Sequence, residues 1–391
     1  MDRIAFVCQR YGPEVNGGSE LHCRQLAERL AAFYEVTVYT TCSLQYSTWE
    51  NEYEPGAEEI GGVRVKRYPV AEPRDPERFD RISDKVFLPS GHTDLEEQEF
   101  VREQGPYCPA LLEALEKEHG SYRAVFFMTY LYYLTAAGLP MGFPNAALIP
   151  TLHDEPSAHL RYYDAVFAAA KAIAWNTEEE KAFAEKRFPS VRNTPGIMVG
   201  VGVDGPGREL PALPAGLREG QYLVYAGRID ESKGCGEMFE FFRRYRAEHG
   251  GSLKLVLMGK PVMEVPEDPE IVSLGFVSEE MKFAVMRGAF ALVLFSRYES
   301  LSMVVLESLL MGRPVIVTEK CAVLKGHCLR CGAGLYFDDY TDFAGALEWL
   351  RNHPKEYERM RELGKKYVRE YYSWDVIIGK YRKLITELFP A

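Results

Sequence analysis

FALVLFSRYESLSMVVLESLLMGRPVIVT, residues 290–318, holds one complete step of a parallel sheet. FALVLFS (290–296) is apolar at odd and even positions alike, which suits a strand covered on both faces. SMVVLESLLMG (302–312) reads as a helix with Ser300 or Ser302 as N-cap, closed by Gly312 and Pro314. PVIVT (314–318) opens the next buried strand. Two carboxylates interrupt the apolar run, Glu299 at the strand exit and Glu307 within the helix. Eight residues of helix turn through about 800°, so the two could project to a common side.

The same alternation runs along the chain. In the first half the strand-like runs are 4–8, 36–40, 63–70, 124–129, 147–153 and 172–176. In the second half they are 222–229, 253–259, 271–277, 290–296, 314–318 and 334–337. Helical stretches between them suit parallel βαβ units. The reading is therefore α/β, with two doubly wound Rossmann-like domains at 1–199 and 200–372. The Gly- and Pro-rich stretch 200–220 begins the second domain as a linker. Residues 71–108, rich in Pro and charge, read as an insertion or mobile loop. The last segment has helical apolar spacing at Val376, Ile377, Tyr381, Leu384, Ile385 and Leu388.

A length of 391 residues is too long for one ordinary core and suits two. A net charge of −11 argues against nucleic acid as the main partner. MDRIAFVCQRYG reads as a first strand, not a signal peptide, and no apolar run approaches the ~18 residues of a membrane span. The eight scattered cysteines then read as reduced cytoplasmic thiols.

Four segments carry candidate chemistry. In YGPEVNGGSE (11–20), Gly17 and Gly18 precede a helix, where backbone N–H groups and the dipole favour an anion. They are candidates for a phosphate or sugar contact; a plain strand-to-helix turn is the rival reading. TLHDE (151–155) ends a strand, which places His153 and Asp154 where parallel sheets meet ligands. In AGRIDESKG (226–234), Arg228 and Lys233 offer the two cations a diphosphate needs, beside a helix start. Glu299 and Glu307 can accept hydrogen bonds from sugar hydroxyls, while the N–H groups of Ser302 and Met303 point at an anion.

In this order, NGGSE, HDE, GRIDESKG, LGFVSEEM and ESLSMVVLE resemble family 4 of the retaining, nucleotide-sugar-dependent glycosyltransferases, of GT-B fold. The resemblance covers nearly the whole chain and is weakest at 71–122. It implies two Rossmann-like domains facing across a cleft, with the donor held mainly by the C-terminal one. It implies that Arg228 and Lys233 bind the diphosphate, Glu307 the ribose hydroxyls and Glu299 the transferred sugar. Phe276 and Val277 would flank the base with their backbone, and His153 would reach the donor sugar. Gly17 and Gly18 would lie near phosphate and sugar. The final helix, within 373–391, would cross back onto the first domain. The family transfers sugar with retention, by same-face attack, without a resident cofactor and generally without metal. Arg228, Lys233, His153 and Glu299 are then the catalytic candidates.

The implied activity moves a sugar from a nucleotide diphosphate sugar to a saccharide, lipid-linked or small-molecule acceptor, in polysaccharide or glycoconjugate synthesis. The tyrosines of 129–138 and the 71–108 insertion are candidates to shape the acceptor pocket. A peripheral membrane contact fits a lipid-linked acceptor. A GT-B sugar-nucleotide epimerase and an inactive nucleotide-sugar-binding protein are the alternatives. The missing G-x-G-x-x-G disfavours a dinucleotide oxidoreductase. Cys321, His327, Cys328 and Cys331 have partial zinc spacing, but a structural site needs a second separated pair, so ordinary thiols are expected.

Overall fold

A computed structural model describes every residue except Asn16, Pro89, Ser90, Arg208 and Ala391. Asn16 of the NGGSE segment, Arg208 of the linker and Pro89 and Ser90 of the insertion thus lie outside the described residues. Two compact units emerge, Met1–Gly200 with Ile377–Ala391, and Val201–Val376. The divisions fall at 200/201 and 376/377, against 199/200 and 372/373 in the sequence reading.

The first unit is built on eight strands: β1 (Arg3–Val7), β2 (Glu35–Thr41), β3 (Gly56–Ile60), β4 (Val63–Tyr68), β5 (Ala124–Met128), β6 (Ala146–Ile149), β7 (Ala172–Trp175) and β8 (Gly196–Met198). Their order is β3-β4-β2-β1-β5-β6-β7-β8, parallel except for the β3–β4 hairpin. β5 shows why: all five residues of AVFFM are buried, as a strand needs when helices cover both faces. β6 stops at Ile149, so the strand is shorter than the run 147–153 suggested.

Residues 71–108 are not a loop. They form helices Pro76–Phe87 and Asp94–Gln104, which pack through Phe79 and Phe100, ring centroids 6.0 Å apart. Asp75 accepts from the Arg78 N–H, and Thr93 with Glu96 makes a reciprocal capping box. The helix Trp374–Leu388 buries Ile377, Ile378, Tyr381, Leu384 and Ile385. Within the first unit, Tyr381 meets Phe126 of β5 edge-on at 5.9 Å, and Arg123 Nε donates to the Phe389 carbonyl at 2.7 Å.

The second unit is a six-stranded parallel sheet of β9 (Tyr222–Ala226), β10 (Lys254–Met258), β11 (Ile271–Ser273), β12 (Ala291–Leu294), β13 (Val315–Thr318) and β14 (Gly334–Phe337). The order is β11-β10-β9-β12-β13-β14, so the winding reverses between β9 and β12. Crevices at such reversals, beyond the strand C-termini, are where doubly wound sheets take ligands. The start of the Gly- and Pro-rich stretch is packed chain, since Val201 and Val203 are buried in the second core.

Candidate functional site

The loops leaving β9 and β12 bring three of the expected residues to the reversal point of the second sheet. After β9 the chain passes Arg228, whose Nε lies 3.0 Å from Asp230 Oδ2. Asp230 also accepts from the Ser232 N–H at 2.8 Å. Burial works to raise the Asp230 pKa, but that bond and the neighbouring Arg228 and Lys233 outweigh it, so the carboxyl stays below its ordinary range. A short turn, Glu231–Lys233, leads to Gly234 and the helix Cys235–His249. Gly234 has φ 71°, and a Cβ there would sit 2.5 Å from the Phe295 carbonyl oxygen at the end of β12. Glycine is required on both counts, and the close approach sets Lys233 against the β12 exit. Lys233 Nζ donates to Glu299 Oε1 at 2.9 Å. Beside them, β9 and β10 leave the sheet in contact, because a Cβ on Gly259 would come within 1.9 Å of the Gly227 carbonyl oxygen.

The helix begins at Met303 and ends at Leu310, so only Glu307 of the two glutamates lies in it. The rotation expected of eight helical residues therefore does not apply. Ser302 occupies the N-cap position, but its backbone is left-handed, φ 66° and ψ 78°, and its side chain makes no cap bond. Its Oγ is buried without a hydrogen-bond partner among the described residues. A left-handed serine is a strained conformation of the kind that collects at ligand sites. The Met303 and Val304 N–H groups that follow have no intrahelical acceptor, while the Val305 N–H reaches the Ser302 carbonyl at 3.1 Å. The helix stop does match its sequence signal: Gly312, φ 67°, closes a Schellman motif with Gly312 N–H to Leu309 O and Arg313 N–H to Ser308 O, both 2.9 Å.

Glu307 is 8% exposed and takes a hydrogen bond from Lys282 Nζ at 2.8 Å. Lys282 stands on the helix Glu279–Gly288 and also pairs with Glu279 at 2.8 Å. Burial pushes the Glu307 pKa up, and the lysine only partly offsets it. Burial pulls Lys282 down, but its two carboxylate partners overcome this and raise it. Each glutamate of the pair eight apart thus carries its own lysine. Lys282 had no sequence signal for this role beyond its place three residues after Glu279; its partner Glu307 is 25 residues away. Of the residues expected at the base, Phe276 is 76% exposed and Val277 is half-buried against the second core.

The Cys/His segment serves a different purpose. His327 Nε2 donates to the Leu301 carbonyl at 2.7 Å, and Nδ1 lies 3.0 Å from the Tyr367 hydroxyl. Burial lowers its pKa to about 4, so the ring is neutral and Nδ1 accepts from Tyr367. Nε2 thus supports the loop that carries Glu299 and Ser302, while Nδ1 ties the ring to Tyr367 of the helix Pro354–Tyr371. Cys321, Cys328 and Cys331 are buried thiols, raised in pKa by burial.

In the first unit, Gly17 caps the helix Gly18–Leu30. A Cβ on Gly17 would lie 2.2 Å from Glu20 Oε2, whereas one on Gly18 would meet nothing within 4 Å. Beneath them Arg10 and Glu20 form a buried ion pair at 2.6 Å that sequence reading missed. His153 lies four residues beyond β6, with Nδ1 3.5 Å from Glu155 Oε1; Tyr130 donates to the same oxygen at 2.6 Å. Asp154 instead pairs with His159 at 2.6 Å. Thr129 and Thr151, after β5 and β6, hold positive φ of 64° and 49°. Buried Glu180 accepts from the Leu152 N–H at 2.7 Å and the Asn176 N–H at 2.6 Å, tying together the exits of β6 and β7.

Residues 220–353 match the family model described as "Glycosyl transferases group 1". A glycogen synthase of Mycobacterium tuberculosis is 23% identical over 404 aligned residues, 96% of this chain and 92% of the relative. Among solved structures, sucrose-phosphate synthase from Thermosynechococcus elongatus superposes with a TM-score of 0.72 at 18% identity, covering 100% of this chain and 99% of that one. An Anabaena protein in complex with UDP and glucose gives a TM-score of 0.67 at 12% identity, covering 99% and 100%. These likenesses establish the GT-B fold.

Proposed function

With residues 220–353 a glycosyl transferases group 1 module on a GT-B fold, we infer that the chain transfers a sugar from a nucleotide diphosphate sugar to an acceptor hydroxyl, with retention. The observation that carries this is the Lys233–Glu299 pair at the reversal of the second sheet, next to Arg228 and a strained helix start. Lys233 gives its short bond to Glu299 at 2.9 Å, and its longer ones to Ser296 Oγ at 3.4 Å and the Tyr298 carbonyl at 3.5 Å are the ones a phosphate oxygen would displace. Glu299, so held, accepts from a hydroxyl of the transferred sugar. As the diphosphate leaves, its growing charge meets Arg228, Lys233 and the N–H groups from Ser302 and Met303. Glu307 takes the ribose hydroxyls, and the backbone at Phe276 and Val277 flanks the base.

These cations let the reaction run without metal, and His327 has no ring nitrogen left for one. Roles for Gly17, Gly18 and His153 at the sugar rest on the family resemblance. The acceptor is a saccharide or a sugar conjugate, and UDP is the first nucleotide to try, since the Anabaena protein was solved with it. Eight free, buried cysteines suit a reducing cytoplasm. No helix among the described residues is long and apolar enough to cross a membrane.

The test is a melting-temperature and calorimetric screen of UDP, ADP and GDP in EDTA. Binding to the folded state at a hundred times Kd stabilises it by about 2.7 kcal/mol. One diphosphate should raise Tm selectively. No shift with any of the three, in a folded sample, overturns the donor site. Glu307→Ala should weaken the chosen diphosphate; unchanged affinity contradicts the ribose role.

A further inference from the structure

Glu307 has an unusual environment for a ligand-binding carboxylate. Its side chain is 10% exposed, and one oxygen, Oε1, is engaged by Lys282. Among the described residues nothing hydrogen-bonds Oε2. Lys282 is itself 17% exposed and reaches Glu307 from another helix, steadied at its far side by the exposed Glu279. We propose that Lys282 is the positioning residue for nucleotide recognition: it holds the Glu307 carboxylate charged and fixed by one oxygen, leaving the other to accept from the ribose diol. This deepens the ribose role of Glu307 and rests on it.

Three physical points support the assignment. A buried carboxylate without a counter-charge takes up a proton, and a protonated one loses half its accepting capacity. Among the described residues the charged groups that bear most on Glu307 are one cation, Lys282, and two carboxylates, Glu279 on the Lys282 helix and Asp204 on the segment after Val203. The helix Pro354–Tyr371 brings Arg361 and Lys365 only to Gly312, at the C-terminal end of the Glu307 helix. A rotationally free carboxylate also loses more freedom on binding a diol than one already fixed.

The experiment measures nucleotide affinity by calorimetry from pH 6 to 9, using the tightest of UDP, ADP and GDP and its 2′,3′-dideoxy analogue. Lys282→Met and Lys282→Gln should weaken the natural nucleotide by about tenfold or more at pH 7, the scale of one lost charge-assisted hydrogen bond. The loss should be deepest at the acid end of the range, where burial most favours a proton on the unsupported carboxyl, and should shrink toward pH 9. Lys282→Arg should restore most of the affinity and flatten the profile. The dideoxy analogue should bind wild type and variants alike. Lys282→Gln keeps a donor to Glu307 and so tests the idea even where Lys282→Met fails to fold.

Wild-type affinity in folded Lys282→Gln across the pH range overturns the proposal, as does an equal loss for the dideoxy analogue. If Glu307→Ala also binds normally, the ribose reading falls with it. If Glu307→Ala is weak and Lys282→Gln is not, only the lysine's role is lost.

Discussion

Both units place an acid–base pair where a strand feeds a helix, yet the pairs differ in access. In the first unit the side chains of Arg10 and Glu20 are 5% and 4% exposed. In the second, those of Lys233 and Glu299 are 32% and 18% exposed. A sequestered pair keeps its partner, because losing it strands a charge in the interior. A half-open pair can admit a third group, such as a phosphate oxygen. One doubly wound plan thus carries a sealed pair on one sheet and, on the other, an accessible pair where we propose the donor binds.

The contrast can be broken most sharply at Lys233. Lys233→Ala should lower kcat by roughly 10²–10³-fold, the scale of removing one preorganised donor to a developing charge. Circular dichroism and Tm should stay close to wild type. Near-native turnover would take Lys233 out of the site and erase the distinction. Glu20→Ala should do the opposite, costing about 3–5 kcal/mol of stability in urea melts as it strands Arg10. If that variant is as stable as wild type, the first pair is not structural.

Neighbouring glycines sharpen the point. Gly17→Ala drives a methyl into the Glu20 carboxylate and should destabilise by about 1–3 kcal/mol. Gly18→Ala points into open space and should stay within about 0.5 kcal/mol in the same urea melts. Equal effects would mean the Arg10–Glu20 pair does not dictate the glycine.

The gentlest test is pH. Burial raises Glu180 to about 8, against three backbone N–H groups that pull it down. A carboxyl raised on folding supports stability below its unfolded pKa, and that support fades as pH climbs toward 8. Wild-type Tm should therefore fall by roughly a few degrees from pH 5 to 8 relative to Glu180→Gln, which cannot ionise. Parallel curves would show that Glu180 titrates normally.

Sequence made the parallel strands legible because buried strands are apolar on both faces. It hid β3, whose GAEEI is exposed along almost its whole length and pairs only at an edge. It hid the helices of 71–108 too, since Phe79, Ile82 and Val86 are spaced for a helix but set among charges. At the site, Arg228, Lys233, Glu299 and Glu307 stood out by type and spacing. Lys282, Arg10 and Glu180 did not, because their partners are set by packing across elements. Ser302 was placed at the helix start, but its left-handed backbone arises from the tight loop and has no signature in residue type.

His327 holds the Leu301 carbonyl as a neutral ring, and in the proposed donor site this bears on how fast product leaves. A charged support for the same loop would add to the pull on a spent nucleotide diphosphate and lengthen its stay. The neutral imidazole instead supports the loop through a hydrogen bond without adding a net charge, so in that reading support of the loop and release of product are not set against each other.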